Sequence, residues 1–146
     1  MSTQKQAKRR QESSVRKYND FLRQLEIESI RIVSARVEAL DYSYSPSSAE
    51  VKWRTASWYK EDEGGFSVFH RYNATIRDME TETDKAKISV TFCVVYSSRI
   101  SITDDLFSVF RKLNLPLNTW PYFREYLHSA TSRLGWAPFV APLYSD

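Results

Sequence analysis

A chain of 146 residues with 42% hydrophobic and 27% charged content has the material for one folded domain. Its 3 glycines leave nothing to build a phosphate-cradling loop, and no GxGxxG or Walker-type pattern occurs, which argues against a nucleotide enzyme. The single cysteine, Cys93, excludes an intrachain disulfide and any zinc site built on several cysteines.

No apolar run approaches the ~20 residues that span a bilayer, and no apolar h-region opens the chain. A soluble, cytoplasmic protein without membrane insertion is expected. The net charge of +3 is unevenly spread. Residues 1–25 carry Lys5, Lys8, Arg9, Arg10, Arg16, Lys17 and Arg23 against Glu12 and Asp20, whereas the remainder is slightly acidic. Nucleic acid is therefore not an expected partner of the body of the chain, and an argument for it rests on the arm alone.

In chain order, residues 1–12 read as a polar, frayed arm. From Ser14, the spacing of Val15, Tyr18, Leu22 and Leu25 predicts a short amphipathic helix. Residues 1–25 thus form a basic arm with its helix, and 26–146 a single domain. Four strands follow. In the first, Ile27–Ala39, Ile30 and Ile32 share one phase and Ala35, Val37 and Ala39 the other, which predicts a bulge or bend near Val33–Ser34. The second is Val51–Tyr59, and the third, Phe66–Ile76, sets Phe66, Val68, His70, Tyr72, Ala74 and Ile76 on one face. The fourth alternates Ala86, Ile88, Val90, Phe92, Val94 and Tyr96 against Lys87, Ser89, Thr91 and Cys93. Such alternation means an antiparallel sheet buried on one side. Short charged turns at Asp62–Gly65 and Asp78–Lys85 suit hairpins, while the longer link Asp41–Ala49 is expected to cross over the sheet.

After the sheet, Thr103-Asp104-Asp105 caps a short helix with Leu106, Phe107, Val109, Phe110 and Leu113 on its apolar face, ended by Pro116. A longer helix is expected from an N-cap at Thr119, with Pro121 in its first turn and Tyr122, Phe123, Tyr126, Leu127, Ala130 and Leu134 on one stripe. Gly135 supplies a left-handed stop. Four strands followed by a short and a long helix packed on one face describe an α+β domain.

No constellation of catalytic groups emerges. His70 sits in line with a strand's apolar face, and His128 on the polar side of the long helix. Cys93, between Phe92 and Val94, reads as a buried, inert thiol. The run Asp78, Glu80, Glu82, Asp84 and the cluster Glu61, Asp62, Glu63 read as solvated turns, since no glycine shapes a calcium loop in the first. No enzyme, metal or cofactor is expected. What stands out is the 14% aromatic share. Tyr42, Tyr44, Trp53, Trp58, Trp120, Trp136 and Phe139 exceed what one sheet face and two helices need, and surplus apolar surface points to protein contact.

The stretch LPLNTWPYFRE, residues 115–125, resembles the signature that opens the long helix in the SecB family of export chaperones, with Pro116, Trp120, Pro121, Tyr122, Arg124 and Glu125 at matching positions. Ser132-Arg133, Gly135-Trp136, Pro138 and Ala141-Pro142 resemble that family's exit from the helix. The resemblance covers residues 26–143 in outline. It implies an ATP-independent holdase that assembles as a homotetramer, a dimer of dimers with long helices layered between eight-stranded sheets. It also implies client grooves, here lined by Tyr42, Tyr44, Trp53, Trp120, Trp136 and Phe139, and an oligomer interface at Tyr122, Phe123, Tyr126 and Ala130. Non-native client proteins are the implied partners, with a translocase ATPase in an export role. The chain ends soon after Pro142, without the family's C-terminal tail, and opens with a basic arm. Those departures fit a chaperone dedicated to one client, such as an antitoxin. The alternative reading is a regulatory or nucleic-acid-binding module acting through the arm.

Overall fold

The computed structural model describes residues 2–44, 46 and 48–137. Helix α1 (Ser2–Arg23) leads into four strands, β1 (Glu26–Ala39), β2 (Ala49–Asp62), β3 (Gly65–Asp78) and β4 (Thr83–Ser97), and then α2 (Asp104–Arg133). The strands form one antiparallel sheet in the order β1-β4-β3-β2. β1 and β2 are consecutive in sequence but lie at opposite edges, so the link between them does cross the end of the sheet. It is pinned to the β3–β4 hairpin at both ends: Leu40 N–H donates to Lys85 O at 2.9 Å, and Met79 N–H donates to Ser48 O at 2.9 Å.

The expected bulge in β1 is present. The pairing with β4 skips Val33, and a second shift skips Glu28. The extra residue explains the change of phase, because Ile30 and Ile32 oppose Val94 and Phe92 while Ala35 and Val37 oppose Val90 and Ile88. Both sets end on the helix-bearing face.

Two helix expectations are corrected. First, α1 starts at Ser2 and not at Ser14. Residues 2–23 contain no glycine or proline and are rich in Gln, Lys and Arg, so propensity carries the helix through residues 2–13, which have no apolar period. Only its last turns touch the body, where Phe21 is fully buried against Phe66 and Phe110.

Second, residues 104–133 form one 30-residue helix, not a short one and a long one. Thr103 is its N-cap, accepting from Leu106 N–H at 3.2 Å, and Asp104 and Asp105 sit favourably at the positive end of the dipole. Pro116 and Pro121 lie inside the helix. Each removes one amide and frees the carbonyl four residues back, but Lys112 and Leu117 are exposed, so water can satisfy those carbonyls. Thr119, expected as an N-cap, is instead fully buried. Its hydroxyl donates to Leu115 O at 3.0 Å and accepts from the Tyr72 hydroxyl at 2.7 Å, tying the helix to the sheet. At the C-terminus Gly135 adopts φ +80°, with its N–H on Ser132 O (3.0 Å) and the Trp136 N–H on Thr131 O (3.2 Å). That is a Schellman closure.

The core lies between α2 and the sheet in two parts. Under the first half of α2, Leu106, Phe110 and Leu115 meet Phe66, Val68, Val94, Tyr96 and the incoming Phe21. Under the second half, Trp120, Phe123, Leu127 and Ala130 meet Tyr72, Ile76, Ile88, Val90 and Phe92.

Candidate functional site

Because the buried side of α2 rests on β3 and β4, the helix-side residues of both edge strands are left half covered. On the β2 flank, Trp53 is 39% exposed and its ring lies 4.9 Å from that of Trp120. Trp120 itself is buried, packed on Phe123 at 5.6 Å and Tyr72 at 6.1 Å, so only Trp53 presents this stack to solvent. In the crossing link Tyr42 is 98% exposed. Tyr44 is held edge-on against Trp136 at 5.7 Å, with the Lys85 ammonium 4.9 Å from its ring centre and 3.2 Å from Asp41. The structure therefore sets Tyr44 with Trp136 and Trp53 with Trp120. Phe139 lies outside the described residues.

On the β1 flank, Ile27, Ile32 and Val37 face the helix side but are 48%, 45% and 38% exposed. Tyr122, 48% exposed, has its ring 6.5 Å from that of Phe92, which Ile32 opposes across the β1–β4 pairing. Of the four long-helix residues singled out in the sequence for contact between copies, Tyr122 and half-buried Tyr126 remain accessible. Phe123 and Ala130 are taken up by the chain's own core. The sequence reading missed the aliphatic strip of β1. The signal was there in its apolar residues, but the bulge at Val33 split them between two phases.

Elsewhere Asp78, the two histidines and Cys93 compose no catalytic constellation among the described residues. Asp78 accepts from the Glu80 and Thr81 amides at 2.7 and 3.2 Å, closing the β3–β4 turn, and His128 is exposed. Cys93 is a buried free thiol. His70 is buried on the helix side, shares a 2.7 Å hydrogen bond through Nδ1 with Ser57 Oγ, and has no partner for Nε2 among the described residues. A Ser–His contact with no carboxylate behind it lacks the orienting group of a hydrolytic triad. Burial pulls the His70 pKa down to about 4 from 6.5. The ring is neutral in the native state, while the unfolded chain takes up its proton below about pH 6.5. Stability should therefore be full above that pH and decline as pH falls towards 4, by up to about 3 kcal/mol. Urea unfolding of His70→Gln should show a shallower loss between pH 7 and 4.5 than the parent. Parallel losses in both proteins would mean that His70 is not the group responsible.

No protein-family model matches the chain, and no curated protein matches it in sequence. Among solved structures, it is similar to the Mycobacterium tuberculosis Rv1957 SecB-like chaperone in complex with a ChAD peptide from the Rv1956 HigA1 antitoxin. That match has a TM-score of 0.74 and 16% identity, covering 86% of this chain and 94% of that one. A protein of unknown function from Streptococcus agalactiae matches with a TM-score of 0.49 and 15% identity, covering 82% of this chain and 97% of the other. The fold is thus SecB-like, as the residues around Pro116–Glu125 implied. No helix among the described residues is long and apolar enough to cross a membrane.

Proposed function

We propose that the chain is a non-enzymatic, ATP-independent chaperone that holds extended segments of non-native clients. The observation that carries this is the pair of apolar strips left open on either flank of α2, on a fold shared with a chaperone seen holding an antitoxin peptide. We assign the β2 flank and the crossing link to the client. There Trp53, backed by Trp120, and Tyr42, Tyr44 and Trp136 offer rigid rings to side chains of an unfolded segment. Each 100 Å² of apolar surface so buried contributes about 2.5 kcal/mol. The client class that fits best is a dedicated partner of antitoxin type.

The β1 flank is assigned to a second copy. β1 is an edge strand, and its open backbone edge adjoins Ile27, Ile32, Val37 and Tyr122, so pairing of two copies would cover both backbone and side chains. Tyr122 and Tyr126 then contribute to layering of the long helices in a homotetramer.

The first test is mass in solution by light scattering at low and moderate salt. Four times 17.1 kDa, stable to salt, is expected, and a monomer would sink the assembly. The second is suppression of aggregation of a chemically denatured protein, with and without ATP. Trp53→Ala should weaken client binding about tenfold, roughly 1.4 kcal/mol, without changing the oligomer. Unchanged affinity would move the client site off this flank.

A further inference from the structure

The strand pairing gathers onto the helix-free face residues that the sequence scatters over four strands. Reading across from β1 to β2, the rows are Arg31–Cys93–Phe69–Trp58, then Ser34–Thr91–Arg71–Ala56. Next come Arg36–Ser89–Asn73–Arg54 and Glu38–Lys87–Thr75–Lys52. These rows carry six basic side chains against one carboxylate, in a body whose charges taken together are slightly acidic. Arg36 pairs with Glu38 and Lys52 with Glu50, each at 3.4 Å and in the open. Arg31, Arg54, Arg71 and Lys87 have no ion-pair partner among the described residues.

This face is also concave. A depression of about 700 Å³ bordered by Lys52, Arg54, Arg77 and Asp84, reaching Val51 and Trp53 at the β2 edge, adjoins one of about 220 Å³ bordered by Arg36, Glu38 and Lys87. The two share Asn73 and Thr75, so they lie side by side on the β3 stretch of the sheet and are taken together as the trough. At the far end of β2 sits a ring platform. Trp58, 41% exposed, stacks on Phe69 at 5.6 Å and 10°, and the Arg71 guanidinium lies 5.1 Å over the Trp58 ring. Arg71 is itself fixed by donating from Nε to Thr91 Oγ1 at 3.1 Å.

We propose that this face binds single-stranded nucleic acid, with phosphates in the basic trough and bases stacked at the Trp58–Phe69–Arg71 end. Unpaired guanidinium and ammonium groups supply the counterion-releasing contacts. Planar rings and a guanidinium are what unpaired bases stack on without regard to sequence. From Lys52 to Trp58 the face runs about 20 Å along the strand, room for several nucleotides. An acidic polypeptide would use the trough but have no need of the rings. A duplex keeps its bases stacked in pairs and offers the rings no free base face. The rows lie on the helix-free face, but the larger depression reaches Trp53 at the β2 edge and so adjoins the client flank. Trp58, Arg71 and Lys87 lie outside that depression, and their loss tests this site apart from the client surface.

The test is fluorescence anisotropy of a labelled 20-nucleotide oligothymidine between 50 and 200 mM salt, using the full chain. Binding should weaken with salt with a log–log slope near −3, as for about four phosphate contacts. Arg54→Glu with Lys87→Glu, both exposed positions, should lower affinity at least tenfold. Trp58→Ala should lower it several-fold while leaving the salt slope unchanged. Reversal of Lys5, Lys8, Arg9 and Arg10 on α1 should have a smaller effect than reversal on the sheet. The proposal is overturned if the parent does not bind, if polyglutamate or a duplex competes as well as the oligonucleotide, or if the α1 reversal alone abolishes binding.

Discussion

Phe123→Ala is expected to lower the unfolding free energy by about 3–5 kcal/mol. Phe123 is fully buried, its ring lies parallel to Tyr72 at 4.1 Å and 5°, and Trp120 packs on it at 5.6 Å. Truncation removes the transfer free energy of the ring and leaves a cavity that neither neighbour can close. Tyr72 is tethered to Thr119 by its hydroxyl, and Trp120 is wedged between the ring and Trp53. In urea unfolding the midpoint should fall with little change in slope. Tyr122→Ala, one position earlier and 48% exposed, should cost about 1 kcal/mol or less in the isolated chain. Equal losses at the two positions would mean that α2 is rotated relative to the sheet from the orientation described.

That pair of residues also marks how far the sequence could be read. The apolar stripe on the second half of α2 was visible, because Phe123, Leu127 and Ala130 recur at helical spacing. Which edge of the stripe meets the sheet was not, since Tyr122 and Tyr126 fit the same period, and only packing against Tyr72 and Phe92 separates them. β3 and β4 were legible almost residue by residue, because one face is buried and the other is not. The merger of two predicted helices escaped the sequence for a local reason. Pro116 and Pro121 are helix breakers by propensity, but each forfeits a single hydrogen bond, and burial of Leu115, Thr119 and Trp120 outweighs that cost. The first half of α1 escaped for the opposite reason, having propensity without a pattern. At the candidate site, the positions of Trp53, Tyr42 and Tyr44 could be picked out as surplus aromatics. That Trp120 is buried while Ile32 is half exposed depends on where α2 lies across the sheet. The basic trough is still less legible, because rows such as Arg36–Ser89–Asn73–Arg54 exist only once register is known.

Gly65→Ala should be more damaging than its small change in size suggests, destabilising the chain by about 3 kcal/mol or more. A Cβ at Gly65 would stand 1.9 Å from the Tyr96 carbonyl oxygen and 3.0 Å from both Tyr96 C and Ser97 Cα. All three are backbone atoms of β4, so no side chain can rotate away. Relief requires β3 and β4 to separate where Gly65 pairs with Ser97. That point lies beside Phe66 and Tyr96, which stack at 5.1 Å and carry Phe110 of α2, so the opening would propagate into the core at the first half of the long helix. The neighbouring Gly64 provides the contrast. Its φ of +78° is costly for any residue with a Cβ, but nothing lies within 4 Å of one added there. Gly64→Ala should therefore cost only about 1 kcal/mol, the conformational penalty alone. Unfolding of both variants by urea would separate the two effects. A loss at Gly64 equal to or greater than that at Gly65 would show that the turn, and not the close approach of the two central strands, governs this end of the sheet.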